Sequence, residues 1–330
     1  MMSGILSPAF LQAAGRAGKG APMGKIILDT QFADPTISSI SCDGEIKVTT
    51  IKNSAQLVET YTDLSSASLS IQADANTQIV ISGTGITACG IGTNADYTKI
   101  SVKSTTLTQL DCESCYALTE LDVSNNTALT HLNCGSCYVL TGLDVSKNTA
   151  LVNLNCNDCR PLTKLDVSKN TALTELYCGG CYALTELDLS KKTALTSFGC
   201  NECPMLTELD LSKNTALVNL NCSYCAILKE LDLSKNTAIT ELNCSSCYVL
   251  TKLDMSNSTA LTALYCGNCK KLVSISYPAT NSTVSTAVAG AITAATSTTG
   301  TVYTDSTADY YNTIATAATN KGWTIAQIPA

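Results

Sequence analysis

Residues 118–139 read LTELDVSNNTA followed by LTHLNCGSCYV, and these two units of eleven decide the fold. From Leu107 to Ser282 the chain divides into sixteen such units with no insertion. The units alternate between kind A, L-T-x-L-D-[VLM]-S-x-[NKS]-T-A, and kind B, L-x-x-L-x-C-x-x-C-x-x. The full repeat is therefore a pair of units and occurs eight times. The last kind A copy, LVSISYPATNS, matches the pattern only in part. Self-similarity at a fixed period indicates a repeat architecture with one shared core.

The spacing within a unit indicates which side chains point inward. Positions 1 and 4 are mostly Leu, position 6 is aliphatic or Cys, and position 9 is mostly Asn or Cys. Positions 4 and 6 lie two apart, as on one face of a strand. One unit cannot bury this stripe alone, whereas stacked units can. We therefore predict a mainly β solenoid of eight coils over 107–282, with a kind A strand and a kind B strand on opposite sides of each coil and no bulky helix.

The pattern resembles leucine-rich repeats, whose core signature is L-x-x-L-x-L-x-x-N/C-x-L. It is most similar to bacterial leucine-rich repeat proteins with 22-residue (2 x 11) repeats, here with cysteine substituted in alternate half-repeats. The resemblance implies a right-handed solenoid that serves as a binding scaffold. The residues that match the signature include Leu118, Leu121, Val123 and Asn126 in kind A, and Leu129, Leu132, Cys134 and Cys137 in kind B.

Two segments precede the repeats. Residues 1–24 are predicted to be a flexible arm, and their only charges, Arg16 and Lys19, follow the apolar stretch, unlike the order in a secretory signal. Residues 25–106 are predicted to be a β-rich module that caps the first coil, because short alternating runs are separated by turn signals. The predicted strands lie in KIILDTQF (25–32), GEIKVTTI (44–51), SASLSIQA (66–73), NTQIVISG (76–83) and YTKISVKS (97–104), where Ile100 and Val102 imitate a kind A strand.

The period changes again over residues 283–330, which are predicted to be an α/β C-terminal cap. Trp323 is expected to cover the last coil, and Gly322 to end the second helix. The predicted elements are a helix over 285–296, a strand over 300–305, a helix with Tyr310, Ile314 and Ala317 on one face, and a strand over 323–328.

Eight C-x-x-C pairs recur once per full repeat, at positions 6 and 9 of kind B. In isolation, C-x-x-C suggests zinc or redox chemistry. In this repeat the cysteines replace Val123 and Asn126, which point inward, and free cysteine is a small, commonly buried residue. We predict ladders of buried core thiols, with disulfides and a metal site as the alternatives. Buried thiols in this number also suit a reducing compartment.

Composition narrows the function further. The chain is 45% hydrophobic and carries 20 basic and 27 acidic residues, so it lacks the basic surplus of a nucleic-acid-binding protein. No apolar run approaches the ~20 residues of a membrane span. His131 is the only histidine, and the H-E-x-x-H, G-x-S-x-G and P-loop motifs are absent from the sequence. We therefore predict a protein that is not an enzyme, with no catalytic residue, metal or cofactor.

The outward positions separate a uniform face from a varied one. Kind A repeats Asp at position 5 and Ser at position 7, often with Lys at position 8, which reads as a hydrated face or, alternatively, a calcium-binding stripe. Kind B varies at positions 3 and 5, which is typical of a recognition surface. The alternative is neutral sequence variation on a surface that binds nothing. The position-10 tyrosines of kind B are interpreted as cover for the edge of the core. The candidate ligand-binding residues are His131, Asn155, Glu175, Tyr177, Asn221, Glu241 and Tyr265.

The expected function is non-enzymatic display of the solenoid for recognition of a protein or a glycan. One hypothesis is a virion-associated protein, such as a phage head fibre, decoration or tail protein, docked on a larger particle through residues 1–106. The alternatives are a bacterial leucine-rich repeat adhesion or interaction protein and a thiol- or metal-binding repeat protein. The predicted location is the virion or the cytoplasm, and the sequence leaves the oligomeric state open.

Overall fold

The computed structural model describes the chain in two compact units, residues 1–160 and 161–330. Side chains are described from Ile86 onward, except at 282, 283 and 311–313. The described residues are 23–30, 36–41, 46–52, 55–61, 69–70, 78–84, 86, 88–91, 97–278, 282–296, 299–303 and 311–326.

The first unit begins with strands of mixed direction. The strands are β1 (Met23–Thr30), β2 (Thr36–Ser41), β3 (Ile46–Lys52), β4 (Ala55–Tyr61), β5 (Leu69–Ser70), β6 (Gln78–Thr84), β7 (Ala88–Ile91) and β8 (Tyr97–Lys103). Antiparallel pairing gives the order β8-β1-β6-β3-β4, and β2 pairs antiparallel with β5 and β7. Five of these strands overlap the predicted runs, whereas β2, β4 and β7 were not predicted. Of the predicted arm, residues 1–22 lie outside the described residues, and Met23 and Gly24 begin β1.

The β-rich module joins the repeats in register. Strand β8 pairs in parallel with β10 (Glu120–Asp122), Ile100 lying opposite Leu121, as its resemblance to a kind A strand predicts. Strand β7 pairs in parallel with β9 (Gln109–Asp111), Cys89 lying opposite Leu110. Strands β7 and β8 therefore occupy the kind B and kind A places of a coil that precedes Leu107. Its spacing to the next coil is one residue shorter than a full repeat, which hides it from a search at constant period.

Every kind B unit contains a strand of three residues. In the first unit these are β9, β11 (His131–Asn133) and β12 (Asn153–Asn155); in the second they are β13 (Glu175–Tyr177), β14 (Ser197–Gly199), β15 (Asn219–Asn221), β17 (Glu241–Asn243) and β19 (Ala263–Tyr265). Within each unit of the chain, neighbours pair in parallel with partners one full repeat apart. The predicted kind B column is therefore confirmed, and no helix interrupts residues 97–278.

The kind A column is only partly a sheet, and the prediction of a strand in every coil was wrong. Strands form at β10, β16 (Glu230–Asp232), β18 (Lys252–Asp254) and β20 (Ser274–Ser276), but not at 142–144, 164–166, 186–188 or 208–210. Instead, clefts of about 810 and 490 Å³ lie along this side in the second unit, both lined by Thr207, Glu208 and Asp210.

Charge accounts for part of this difference between the two columns. Kind A places Glu186, Glu208 and Glu230 at position 3 of three successive coils, each two residues before an aspartate. Like charges directly opposite each other destabilise strand pairing. By contrast, Lys99 forms a salt bridge with Glu120 across β8 and β10 at 2.6 Å, and Glu230 lies opposite Lys252 in β16 and β18.

The core follows the predicted inward positions. Leucines at position 1 are buried, and those at position 4 are buried except Leu187, which is half-buried. Position 6 is buried in both kinds, as are the asparagines and cysteines at position 9. Eight stacked copies thus supply the apolar contacts that a single unit lacks.

The second unit ends with α1 (Ser282–Ala294), β21 (Thr301–Tyr303), α2 (Tyr311–Lys321) and β22 (Thr324–Ala326). Strands β20, β21 and β22 pair in parallel, so the kind A sheet continues past the repeats. Trp323 is buried beside Gly300, and Gly322 follows α2 with φ 79°. The buried face of α2 carries Ile314 and Ala318, whereas Ala317 is half-buried and Tyr310 lies outside the described residues. Neither of these helices is long and apolar enough to cross a membrane.

Candidate functional site

The uniform aspartate row of kind A has a local structural role. In each coil the Asp Oδ1 accepts a hydrogen bond from the backbone N–H of the serine two residues later, as for Asp188 and Ser190 at 2.8 Å. The hydroxyl and N–H of Ser190 lower the pKa of Asp188, and Lys191 adds to this effect. Among the described residues no group of three acidic, His or Cys side chains is arranged to hold a metal ion. The same turn recurs at Asp122, Asp144, Asp166, Asp188, Asp210, Asp232 and Asp254.

The asparagines at position 5 of kind B form the same turn. Asn155 Oδ1 accepts the N–H of Asn157 at 3.0 Å, and Asn221 Oδ1 accepts the N–H of Ser223 at 3.2 Å. Asn155 is buried and Asn221 is half-buried. Both candidate asparagines therefore shape the chain after a strand, a role that Asn and Asp perform because their side chains imitate a backbone acceptor.

In the second unit the candidates lie on one sheet face, formed by β13, β14, β15, β17 and β19. We call this surface the B face. Its position-3 row is Glu175, Ser197, Asn219, Glu241 and Ala263, and its position-5 row is Tyr177, Gly199, Asn221, Asn243 and Tyr265. Neither row contains Lys or Arg, so the face is acidic and rich in amide groups.

The two tyrosines of the B face differ in their surroundings. The Tyr177 ring lies beside Gly199, where an added Cβ would approach the ring to 3.2 Å. Its hydroxyl is 3.0 Å from Ser197 Oγ and donates to Glu175 Oε2 at 3.3 Å. Tyr265, in contrast, is 52% exposed. Tyr265 is thus the open aromatic group of this face, while Tyr177 fills the space above a glycine.

The remaining candidates are less exposed than their outward positions suggest. Glu241 in β17 is half-buried and lies opposite Ala263 in the neighbouring strand β19. His131 lies in the first unit, half-buried, with Nδ1 2.8 Å from Thr130 Oγ1. The structure therefore brings Glu175 and Tyr177 into contact and places His131 and Asn155 in a different compact unit from the B face.

The C-x-x-C loop and the corner after it carry exposed apolar side chains that the sequence analysis missed. Tyr224 at position 8 and Met205 at position 11 are each 49% exposed. Both positions vary between copies as strongly as positions 3 and 5, and this signal is visible in the sequence. In the first unit, Tyr116 and Tyr138 stack with ring centroids 5.0 Å apart, and the Arg160 guanidinium lies 4.4 Å from the Tyr138 centroid. These two position-10 rings cover one another, while Tyr116, Tyr182 and Tyr248 are exposed.

Position 8 of kind B is held in a left-handed backbone conformation. Its N–H donates to the position-7 carbonyl of the next coil, as from Tyr224 to Ser245 at 2.8 Å. The parallel ladder thereby continues through the C-x-x-C loop, at the cost of a φ that non-glycine residues disfavour. The non-glycine residues with this conformation are Ser114, Ser136, Asp158, Glu202, Tyr224, Ser246 and Asn268.

The cysteines form the predicted core ladder. All described cysteines are free and buried. The position-9 thiol donates to the position-6 carbonyl of the preceding coil, as from Cys225 to Cys200 at 3.2 Å. In kind A the corresponding Asn148 Nδ2 donates to the Val123 carbonyl at 2.9 Å and also to the Asn126 carbonyl at 2.8 Å. Cysteine therefore keeps one of the two hydrogen bonds that asparagine makes between coils.

One residue interrupts the asparagine ladder. Lys192 occupies position 9 of kind A, fully buried, and its Nζ has no hydrogen-bond partner. Burial lowers the pKa of Lys192, while Asp188 acts in the opposite direction. The Lys192 carbonyl still accepts a hydrogen bond from Asn214 Nδ2 at 2.8 Å.

The fold is a leucine-rich-repeat-type solenoid with a cysteine ladder. No protein-family model matches the chain, and no curated protein sequence matches it either. Two solved structures that it resembles are both from Listeria monocytogenes: a functional domain of InlJ that includes a cysteine ladder, and an internalin, InlF, of strain 4b F2365. The InlJ match is 26% identical with a TM-score of 0.25 and covers 54% of this chain and 62% of that one. The InlF match is 18% identical with a TM-score of 0.25 and covers 71% and 87%. The chain thus spans less than two thirds of the InlJ domain.

Proposed function

We propose that the solenoid is a non-enzymatic recognition module that binds a protein partner, in an adhesion or interaction role, through the B face. The observation that carries this proposal is the B face itself, a five-stranded parallel sheet whose outward residues differ from coil to coil. A uniform row can recognise only a uniform ligand, whereas a non-repeating row can distinguish one partner from another. Tyr265 supplies an exposed aromatic anchor with few rotatable bonds, a feature common to adaptable binding surfaces.

The charged and amide side chains of the B face indicate the chemistry of the partner. Glu175 and Glu241 are its charged groups, and Asn219 and Asn243 add amide donors and acceptors. Electrostatic complementarity favours a partner that presents Lys or Arg together with backbone amides. A polar, uncharged glycan would use the amides and Tyr265 but gain nothing from the carboxylates, so removing the carboxylates distinguishes the two partners.

Site-specific photocrosslinking tests the surface. A benzophenone amino acid is placed at Tyr265 on the B face or at Glu186 on the kind A side, where the side chain is 76% exposed. Both proteins are irradiated in the same extract of surface proteins and glycans. We expect a discrete adduct from position 265 only, abolished by unlabelled wild-type protein but not by unlabelled Y265A. Equal adducts from both positions, or an adduct only from position 186, would refute the B face.

Two charge variants identify the class of partner. Glu241→Gln removes one carboxylate of the B face, and Glu186→Gln is the matched control on the kind A side. For a basic protein partner, Glu241→Gln should weaken binding several-fold and reduce its salt dependence, while Glu186→Gln should leave both unchanged. Salt-independent binding that survives Glu241→Gln would indicate a glycan.

Residues 1–106 support a second candidate, a virion-associated protein located on a particle or in the cytoplasm. Strands β7 and β8 continue the ladder of the first coil, so a particle that held the module would display the repeats. Deleting residues 1–24 should then abolish co-sedimentation with particles while leaving the adduct at Tyr265 intact. Retained co-sedimentation would exclude the arm as the attachment point.

A further inference from the structure

The C-x-x-C spacing suggests that the two cysteines of one loop are partners, but the contacts between thiols run from coil to coil. Cys137 Sγ of the following coil lies 3.4 Å from the Cys112 carbonyl oxygen, and the Cys137 thiol is the largest cause of the raised pKa of Cys112. The same contact joins position 6 to position 9 of the next coil throughout each compact unit. The pairs are Cys112–Cys137 and Cys134–Cys159 in the first unit, and Cys178–Cys203, Cys200–Cys225, Cys222–Cys247 and Cys244–Cys269 in the second.

Distances from the thiols to backbone carbonyl oxygens support the same pairing of position 9 with position 6 of the preceding coil. The position-9 Sγ lies 3.2 to 3.4 Å from the carbonyl oxygen of its partner cysteine, as in Cys247 to Cys222 at 3.2 Å and Cys137 to Cys112 at 3.4 Å. Each position-9 thiol is therefore held against the residue that carries its partner thiol. Within a loop, by contrast, the two cysteines span a tight turn, with Cys225 N donating to Cys222 O at 3.4 Å.

We propose that these inter-coil pairs are a latent oxidation site: a small disulfide oxidant joins each position-6 cysteine to position 9 of the next coil, and not to the second cysteine of its own loop. The bonds would tie successive coils through their cores. A chain that folds with reduced thiols would thereby acquire covalent links after it reaches an oxidising environment. The proposal is independent of the B face and of any binding partner.

Hydrogen bonding decides which thiol reacts first. Cys203 Sγ lies 3.2 Å from the Cys178 carbonyl oxygen, and the interaction between the two thiols lowers the pKa of Cys203 and raises the pKa of Cys178. Cys244 and Cys269 show the same polarity. Because the thiolate is the nucleophile in exchange, Cys203 and Cys269 attack the oxidant, and Cys178 and Cys244 resolve the intermediates.

The exchange balances with a disulfide RSSR as the oxidant. The position-9 thiol loses its proton, its sulfur bonds to one sulfur of RSSR, and the S–S bond of RSSR breaks to release the first RSH. The position-6 thiol then loses its proton and attacks the position-9 sulfur, which breaks the mixed disulfide and releases the second RSH. Two protein thiols are oxidised to one disulfide, and RSSR is reduced to two RSH.

The register also predicts which thiols stay reduced. Cys115 occupies position 9 of the first C-x-x-C coil, and the preceding coil offers Ile91 where its partner would be. Cys266 occupies position 6 of the last coil, its Sγ facing the Ala287 carbonyl of α1 at 3.5 Å. Both ends of the ladder therefore lack a partner cysteine in this register.

Peptide mapping of the full chain tests the proposal. The protein is incubated with oxidised glutathione at a series of temperatures up to a few degrees below unfolding, because buried thiols react through local opening. Free thiols are then alkylated, and the chain is cut with trypsin without reduction. From Cys134 onward, lysines separate successive loops, so Cys200 falls in peptide 193–213 and Cys225 in peptide 214–229, whereas the first two loops share peptide 104–147.

The expected product links peptide 193–213 to peptide 214–229 through Cys200 and Cys225, with equivalent links between the peptides of the other coils and with alkylated Cys115 and Cys266. Oxidised protein should also melt several degrees higher than reduced protein, and dithiothreitol should reverse the shift. A disulfide between the two cysteines of one loop, detected within a single-loop peptide such as 193–213, would overturn the proposal. So would a persistent glutathione adduct, or fully alkylated cysteines at every temperature.

Cys203→Ala is the matched variant. Inter-coil pairing predicts that it removes the Cys178 link and leaves the Cys200–Cys225 link in place, with a native circular dichroism spectrum as the control for folding. Loss of the Cys200–Cys225 link in this variant would mean that Cys200 depends on the second cysteine of its own loop, and the inter-coil register would be wrong.

Discussion

At the scale of single residues, position 9 shows how little separates a stabilising from a destabilising side chain. Asn236 Nδ2 donates to the Leu211 and Asn214 carbonyls of the preceding kind A unit at 3.0 and 2.8 Å. Cysteine at the same place in kind B keeps one such bond. Lys192 makes none of these side-chain bonds, and its amine is buried without a partner. An unsatisfied buried polar group costs free energy that a hydrogen-bonded one does not.

Lys192→Asn is therefore expected to stabilise the protein. The asparagine can donate to the carbonyls of the preceding coil as Asn236 does, and the buried amine is removed. The free energy of unfolding, measured by urea denaturation, should rise by about 1–3 kcal/mol. Lys191→Asn is the control, because Lys191 is exposed and its replacement should change stability by less than about 0.5 kcal/mol. Equal effects of both substitutions would mean that the burial of Lys192 carries no cost.

At the scale of elements, the packing of the C-terminal segment depends on the close contact of Gly300 with Trp323 and Val273. A Cβ at Gly300 would lie 2.6 Å from the Trp323 ring and 2.8 Å from the Val273 carbonyl oxygen. The backbone around Gly300 joins the last strands, since Thr301 N donates to Val273 O and Thr324 N to Gly300 O, both at 2.8 Å. A side chain at this position must therefore displace either the indole or the ladder.

Gly300→Ala should lower the free energy of unfolding of the C-terminal elements by about 1–3 kcal/mol, the usual cost of overpacking. Trp323 is the only tryptophan, so its fluorescence reports the change directly. Gly290→Ala is the matched control: nothing lies within 4 Å of its added Cβ, and alanine favours α1. The prediction fails if both substitutions leave the fluorescence transition unchanged.

At the scale of the whole molecule, the buried thiols make stability depend on alkaline pH. Burial raises the pKa of Cys89 and of Cys266 from 9.0 to about 12, and position-6 thiols such as Cys112 are also raised, chiefly by hydrogen bonds to the next coil. Cys203 and Cys269 shift in the opposite direction but are fewer. Where a thiol with a raised pKa stays protonated in the folded state but ionises in the unfolded chain, ionisation favours the unfolded chain, so stability falls as the pH rises. Its contribution is complete below pH 9 and is lost between pH 9 and 12.

Under reducing conditions, the urea midpoint should therefore be steady from pH 7 to 8.5 and fall above pH 9. Within that window, each thiol with a raised pKa lowers the free energy of unfolding by about 1.4 kcal/mol per pH unit. Cys266→Ala should fall less steeply than the wild type, which separates the thiol contribution from that of lysine deprotonation. A midpoint that stays constant up to pH 11 would contradict the buried ladder.

The repeat period, the inward positions and the kind B column all followed from the sequence. Each depends on the alternation of side chains within one short strand and on the need to stack copies to bury Leu and Cys. The degenerate coil of β7 and β8 was only half recognised, because its spacing is one residue short of a full repeat and Cys89 replaces a leucine. Candidate residues were assigned by outward position, yet Asn155 proved to be buried in a turn and Tyr177 to lie against Gly199.

Only the tertiary structure decided what happens between coils. The open kind A side, the unpartnered amine of Lys192 and the contact of Cys200 with Cys225 all depend on the stagger and separation of neighbouring coils. A repeat reports which side chains occupy equivalent places, because equivalence is a property of the chain. The repeat does not predict which different positions of neighbouring coils come into contact, because that depends on how far one coil is displaced along the next. The C-x-x-C pairs illustrate the difference: the two cysteines of a loop are close in sequence, yet each finds its thiol partner in a neighbouring coil.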